Sequence, residues 1–235
     1  MQESSWIRKM FEEGVELKKK FGINNVYDFS LGNPNLAPPD IFFENLKKLE
    51  KNNDSNIHGY MPNSGFESTR KTVAKKLSKE SGSNLGPEDI VMTVGAAGAI
   101  NVILHSILNP DDEVIIFKPF FPEYQFYVDN HQGISVFCDY DENFEPSLEN
   151  FKTLINKNTK AIIFNSPNNP TGVTYSANTI NKIVNIVKEY EKKLSTEMYI
   201  ISDEPYRYLE YENNEPVSYT HLRAHETPEH VVFRL

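Results

Sequence analysis

Two β-branched apolar runs, Ala161-Ile162-Ile163-Phe164 and Tyr199-Ile200-Ile201-Ser202, each carry the chain into a polar motif, and a helix-patterned stretch separates them. The first leads into Ser166-Pro167-Asn168-Asn169-Pro170-Thr171-Gly172, the second into Asp203-Glu204-Pro205-Tyr206. Apolar runs without polar alternation read as strands buried on both faces, and such strands belong to parallel sheets covered by helices. Two of them that deliver polar groups at their C-terminal ends describe one edge of a ligand crevice.

The same order of strand then helix runs upstream. Asp89 to Val94 precedes a helix from Ala96, Glu113 to Phe117 a helix from Pro122, and Gly133 to Cys138 a helix from Ser147. Ala161 to Asn165 precedes a helix from about Ala177, and Met198 to Ser202 closes the series. This alternation predicts an α/β fold, a mainly parallel sheet with helices on both faces. Ahead of it the spacing predicts a helix from Trp6 to near Gly22, a strand from Val26 to Leu31, a helix from Asp40 to Lys51 and a helix from Phe66 to Glu80. Gly32-Asn33-Pro34-Asn35, Pro38-Pro39 and Tyr60-Met61-Pro62-Asn63-Ser64-Gly65 form the loops between them.

Composition narrows the partners. The net charge is −9, from 24 basic and 33 acidic residues, and no Lys/Arg stripe alternates with aromatics, which argues against nucleic acid and acidic membrane surfaces. No stretch approaches about 18 consecutive apolar residues, and the N-terminus lacks the apolar core of a signal peptide. The single cysteine, Cys138, cannot form an internal disulfide, and no CxxC or His/Cys spacing suggests a metal, so a reducing, cytoplasmic setting is expected. The Lys188 to Lys193 cluster reads as a solvated helix end.

Four short motifs carry groups suited to an anion, a flat ring or a cation. Gly95-Ala96-Ala97-Gly98, between a predicted strand and a helix, can turn backbone N–H groups toward a phosphate, although small residues also serve tight packing. Lys118-Pro119-Phe120-Phe121-Pro122 offers an aromatic face for stacking or for the core. Prolines flank the asparagines of the first motif and restrict their backbone, and the Asn169-Pro170 bond is expected to be cis. Asp203, at a strand end, would be partly desolvated unless it met a cation such as a pyridinium N–H.

Taken together these motifs resemble fold-type I pyridoxal phosphate enzymes, specifically the aspartate aminotransferase family (class I and II aminotransferases), over Trp6 to about Pro216. The resemblance implies pyridoxal 5'-phosphate as cofactor and an amino acid and a 2-oxo acid as substrates. It gives phosphate contacts to the main chain of Ala96 and Ala97 and ring stacking to Phe121, with Phe120 the alternative. Asn169 and Tyr206 would serve the phenolic oxygen, and Asp203 the ring nitrogen. Gly32, in Leu31-Gly32-Asn33-Pro34, would meet the substrate carboxylate. Tyr60 would reach the cofactor phosphate of a neighbouring subunit, implying a homodimer. Residues 1–50 correspond to an N-terminal arm and part of a small domain, and residues 51–216 to an incomplete cofactor-binding domain.

The family's Schiff-base lysine is expected a few tens of residues after Asp203, but no lysine follows Lys193 in this chain. The later phosphate-binding arginine and the arginine for the substrate carboxylate are missing too, so the expectation is an N-terminal fragment without turnover. Residues 217–235, with His221, His225 and His230, resemble a translated sequencing-library adaptor; a metal site built from the three histidines is the weaker alternative. Two rival functions remain: a lyase or carbon–carbon bond-forming synthase of the same fold, and a non-catalytic cofactor-binding module or pseudoenzyme.

Overall fold

The computed structural model describes residues 6–29, 32, 36–52 and 59–209. The chain divides into two compact units, with the boundary between Tyr60 and Met61. The first contains α1 (Trp6–Phe21), a 3-10 turn (Ile23–Asn25) and α2 (Asp40–Glu50). A salt bridge of 2.6 Å from Lys18 to Asp28 ties the segment after α1 back onto it. Gly14 permits this return, since a Cβ there would lie 2.9 Å from the Asp28 carboxylate.

The second unit holds α3 (Glu67–Ser81), α4 (Gly95–Ile107), α5 (Glu123–Asp129), α6 (Leu148–Leu154) and α7 (Ala177–Leu194). With them run β1 (Glu113–Phe117), β2 (Ile134–Cys138), β3 (Thr159–Asn165) and β4 (Tyr199–Asp203), paired in parallel in the order β2-β1-β3-β4. The period of two along each strand sorts the core into two layers. Val114, Ile116, Ala161, Ile163 and Ile201 pack against Ile100, Ile103 and Leu104 of α4 and Tyr124 and Val128 of α5. Ile115, Phe117, Ile162, Phe164 and Ile200 face Phe151 of α6 and Ile180, Ile183 and Val187 of α7. Each Val, Ile, Leu or Phe among them contributes about 1.5–3 kcal/mol on burial, which explains why these strands carry no polar alternation.

Strand order follows from the same layering. A parallel crossover has one hand, so a step to one side of β1 places its helix on one face and a step to the other side places it on the opposite face. The β1 to β2 step carries α5, while the β2 to β3 and β3 to β4 steps run the other way and carry α6 and α7. The direction therefore reverses between β1 and β3, and the C-terminal ends of those strands open onto the crevice where α/β sheets bind ligands.

Two expected strands do not form. Val26 to Phe29 has no regular structure, and the rest of that stretch, Ser30 and Leu31, lies outside the described residues. Asp89 to Val94 becomes a 3-10 turn (Pro87–Asp89) followed by an irregular segment. The segment has strand-like composition, but a strand exists only with a neighbour. The Met92 N–H bonds the Ser64 carbonyl at 3.0 Å, and the four strands pair only with one another among the described residues. Val91, Met92 and Val94 are correspondingly exposed. The helices begin within a residue or two of their expected starts, with Ser147 and Ser176 as caps of α6 and α7.

Candidate active site

β3 and β4 lie side by side with Asn165 opposite Asp203, so the two polar motifs emerge together at one edge of the sheet. Asn165 joins them. Its Nδ2 donates to the Asp203 carbonyl at 2.9 Å, and its Oδ1 accepts the Asn169 N–H at 2.7 Å. The turn beyond is tied at several points. Asn168 Oδ1 accepts from the Thr171 hydroxyl at 2.9 Å, the Gly172 N–H reaches the Asn168 carbonyl at 2.8 Å, and Asn168 Nδ2 reaches the Pro119 carbonyl at 3.2 Å. Gly172 supplies the positive φ of 74° that closes the turn, a conformation that costs a side chain strain. The Asn169-Pro170 peptide is cis, as are Ser166-Pro167 and Lys118-Pro119. Asn169 itself is half-buried.

Asp203 is 5% exposed, and burial raises its pKa above the usual carboxylate value. Its Oδ2 accepts from the Tyr124 hydroxyl at 2.5 Å. Its Oδ1 is buried and has no hydrogen-bond partner among the described residues. Tyr206 is half-buried in the turn that follows β4. Glu204 is buried, accepts from the Ser202 hydroxyl at 2.8 Å and lies 3.9 Å from Arg207, which pairs with Glu80 of α3 at 3.1 Å. Tyr208 donates to the same Glu80 at 3.1 Å, so Glu204, Arg207 and Tyr208 anchor the chain after β4.

The two phenylalanines after β1 separate by contact. Phe120 stacks on Phe137 of β2, centroids 5.1 Å apart and planes 3° from parallel. Phe121 meets the Tyr124 ring edge-on at 5.7 Å and thereby adjoins the residue that holds Asp203. Lys118 forms an ion pair with Asp139 at 2.5 Å, both side chains being exposed.

α4 turns into β1 through Leu108 to Asp112, so a helix packed on that sheet runs antiparallel to β1 and its N-terminus lies toward the C-terminal edge. No side chain caps it at Val94, and the first turn contains Ala96 and Ala97. Gly95 has φ +68°, and the space where its Cβ would stand is open. Uncapped N–H groups at the positive end of a helix are suited to an anion.

Gly32 and Tyr60 are both exposed and belong to the first compact unit. Among the described residues no group of three or more His, Cys, Asp or Glu could hold a metal ion; His221, His225 and His230 lie outside them. Tyr124 and Asn165 are the site residues that motif reading overlooks. One helical turn from Phe121 to Tyr124 and the position of Asn165 at the end of a buried strand are the signals that point to them.

Residues 24–234 match the pattern of the aminotransferase class I and II family. A probable aspartate aminotransferase of Methanocaldococcus jannaschii is 31% identical over 195 residues, covering 82% of this chain and 50% of its relative. A probable aspartate/prephenate aminotransferase of Thermus aquaticus is 36% identical over 155 residues, 65% of this chain and 39% of its own. Among solved structures an aminotransferase of Eubacterium rectale superposes with a TM-score of 0.86 at 34% identity, covering 90% of this chain and 54% of that one. The aspartate aminotransferase of Thermus thermophilus with maleate gives 0.77 at 28% identity, with coverages of 89% and 53%. The chain belongs to the class I and II aminotransferase family, and it spans about half the length or less of these relatives.

Proposed function

We propose that this chain is the cofactor-binding part of a pyridoxal 5'-phosphate-dependent aminotransferase, which moves an amino group from an amino acid to a 2-oxo acid. The observation that carries the reading is Asp203 Oδ1, a buried carboxylate oxygen without a hydrogen-bond partner among the described residues. A protonated ring nitrogen would complete that oxygen, and the residues assigned to the rest of the group follow β1, β3 and β4 or begin α4. The N–H groups of Ala96 and Ala97 hold the phosphate at the start of α4. Phe121 covers one ring face, and Asn169 and Tyr206 hold the phenolic oxygen. When bound, pyridoxal phosphate supplies an electron-poor ring that takes up the density released as a substrate Cα bond breaks. Asp203 sustains that property by keeping the ring nitrogen protonated.

Gly32 meets the substrate carboxylate through its backbone, and Tyr60 serves the phosphate across a homodimer interface. A cytoplasmic location accords with a buried, free Cys138. Residues 1–50 contribute the arm and part of the small domain, and 51–216 the cofactor-binding domain. The family match reaches residue 234, across the adaptor-like text of 217–235, which lies outside the described residues.

The test is pyridoxal phosphate binding to the 235-residue chain, followed by absorbance, for wild type and D203N. A hydrogen bond to a charged group contributes about 1.5–3 kcal/mol, so D203N is expected to weaken binding about ten- to hundredfold. Equal affinity for both chains would sink the reading. With no lysine after Lys193, the chain is expected to bind reversibly without transamination. A borohydride-stable adduct at one specific lysine would overturn that expectation.

A further inference from the structure

Tyr124 is 1% exposed, and its hydroxyl spans from α5 to the end of β4 to meet Asp203 Oδ2 at 2.5 Å. A buried tyrosine hydroxyl requires a partner, and a neutral backbone carbonyl is the usual one. This one is instead spent on an acid whose other oxygen is left bare: Oδ1 is equally withdrawn from water and has no partner among the described residues. A carboxylate satisfied on one side only is costly in a folded core, the more so when it is charged. The arrangement makes sense where a ligand supplies the second donor.

We propose that Tyr124 is a positioning residue for Asp203: it occupies Oδ2, fixes the carboxylate plane and leaves Oδ1 as the acceptor that faces a protonated ring nitrogen. The identity of that ligand rests on the cofactor reading above; the coupling of the two side chains does not.

The electrostatics around the pair define what Tyr124 does. Burial raises the Asp203 pKa, the Tyr124 hydrogen bond lowers it, and the Glu204 charge raises it again. Burial and then the Asp203 charge raise the Tyr124 pKa far beyond the ordinary phenol value, so the hydroxyl stays a donor at every working pH. Tyr127 of α5 and Tyr206 after β4 are the other titratable groups that act on Tyr124. Tyr124 is thus the neighbour that favours the ionised Asp203 against two influences that favour the protonated form, and an ionised Asp203 is what a ring N–H requires.

The experiment is a carbon-13 titration of the Asp203 carboxyl in the cofactor-free 235-residue chain, the signal being assigned by its loss in D203N. In Y124F the carboxyl is expected to bind its proton at least about tenfold more tightly, the equivalent of one hydrogen bond to a charged group. A tyrosine that only fills space would leave the midpoint where it is, and an unmoved midpoint overturns the proposal. The wild-type chain provides a second readout that needs no variant to fold. Its Tyr124 hydroxyl proton should be exchange-protected, shifted far downfield and responsive to the Asp203 titration; a proton that exchanges freely overturns the proposal as well. Pyridoxal phosphate binding separates the two layers. Equal affinity in wild type and D203N removes the ring nitrogen as the ligand, whereas the cofactor-free titration alone decides the Tyr124 role.

Discussion

At the scale of single residues, Asp203 is expected to set stability against the proposed cofactor binding. Its folded-state pKa lies above the ordinary 3.8, chiefly through burial, so the ionised form is disfavoured by folding. For an acid shifted upward, the stabilising contribution is complete below its unfolded value and is lost as pH rises through the folded value. D203N is therefore expected to raise the thermal midpoint of the cofactor-free chain at neutral pH, with the gain shrinking as the pH falls toward about 4. Melting curves of both chains across that window check it, and a wild type more stable than D203N at pH 7 would contradict it. The same substitution that stabilises the empty chain should weaken cofactor binding, as expected where a strained acid serves a ligand.

Among the elements, α7 shows how a sequence signal becomes a fixed helix. The Ser176 hydroxyl accepts the Thr179 N–H at 3.1 Å and sits beside the Thr179 and Glu145 side chains, which bond each other. Replacing it with alanine leaves a helix N–H orphaned. S176A is expected to destabilise the chain by about 1 kcal/mol, seen as a lower urea midpoint with an unchanged slope. Since α7 carries the chain from the Asn169 turn to β4, a larger loss with an altered slope would mean that the cap holds more than one helix end. The segment Ile90 to Val94 teaches the opposite lesson. Its residues favour a strand, yet pairing is not a property of the segment that pairs, and Val91, Met92 and Val94 stay exposed for want of a neighbour.

Over the whole molecule, the two core layers make Cys138 a reporter of global unfolding. It ends β2 inside the layer formed with α6 and α7, and burial pushes its thiol up to about 12. The reactive thiolate is thus nearly absent near neutral pH. A thiol reagent at pH 8 is expected to label Cys138 no faster than the chain unfolds, and at once in denaturant. Rapid labelling of the native chain would show that β2 and α6 open locally below the global free energy.

The amino-acid sequence by itself determined the class of fold, because unbroken β-branched runs alternating with amphipathic helices have few ways to be buried. It also marked Ser166 to Gly172 and Asp203 to Tyr206 as polar motifs at strand ends, and the fold brings them together at one edge of the sheet. It could not say which runs find partners, and so Asp89 to Val94 read as a strand. Residue type alone did not separate Phe120 from Phe121, whose surroundings differ in the Phe137 and Tyr124 rings that each one meets. The reversal of strand order between β1 and β3, the bridge from Asn165 to both motifs and the pairing of Tyr124 with Asp203 across 79 residues were decided by the tertiary structure alone. Periodicity and local chemistry are written along a chain, whereas hydrogen bonds between distant side chains depend on strand order and register, which only the folded packing fixes.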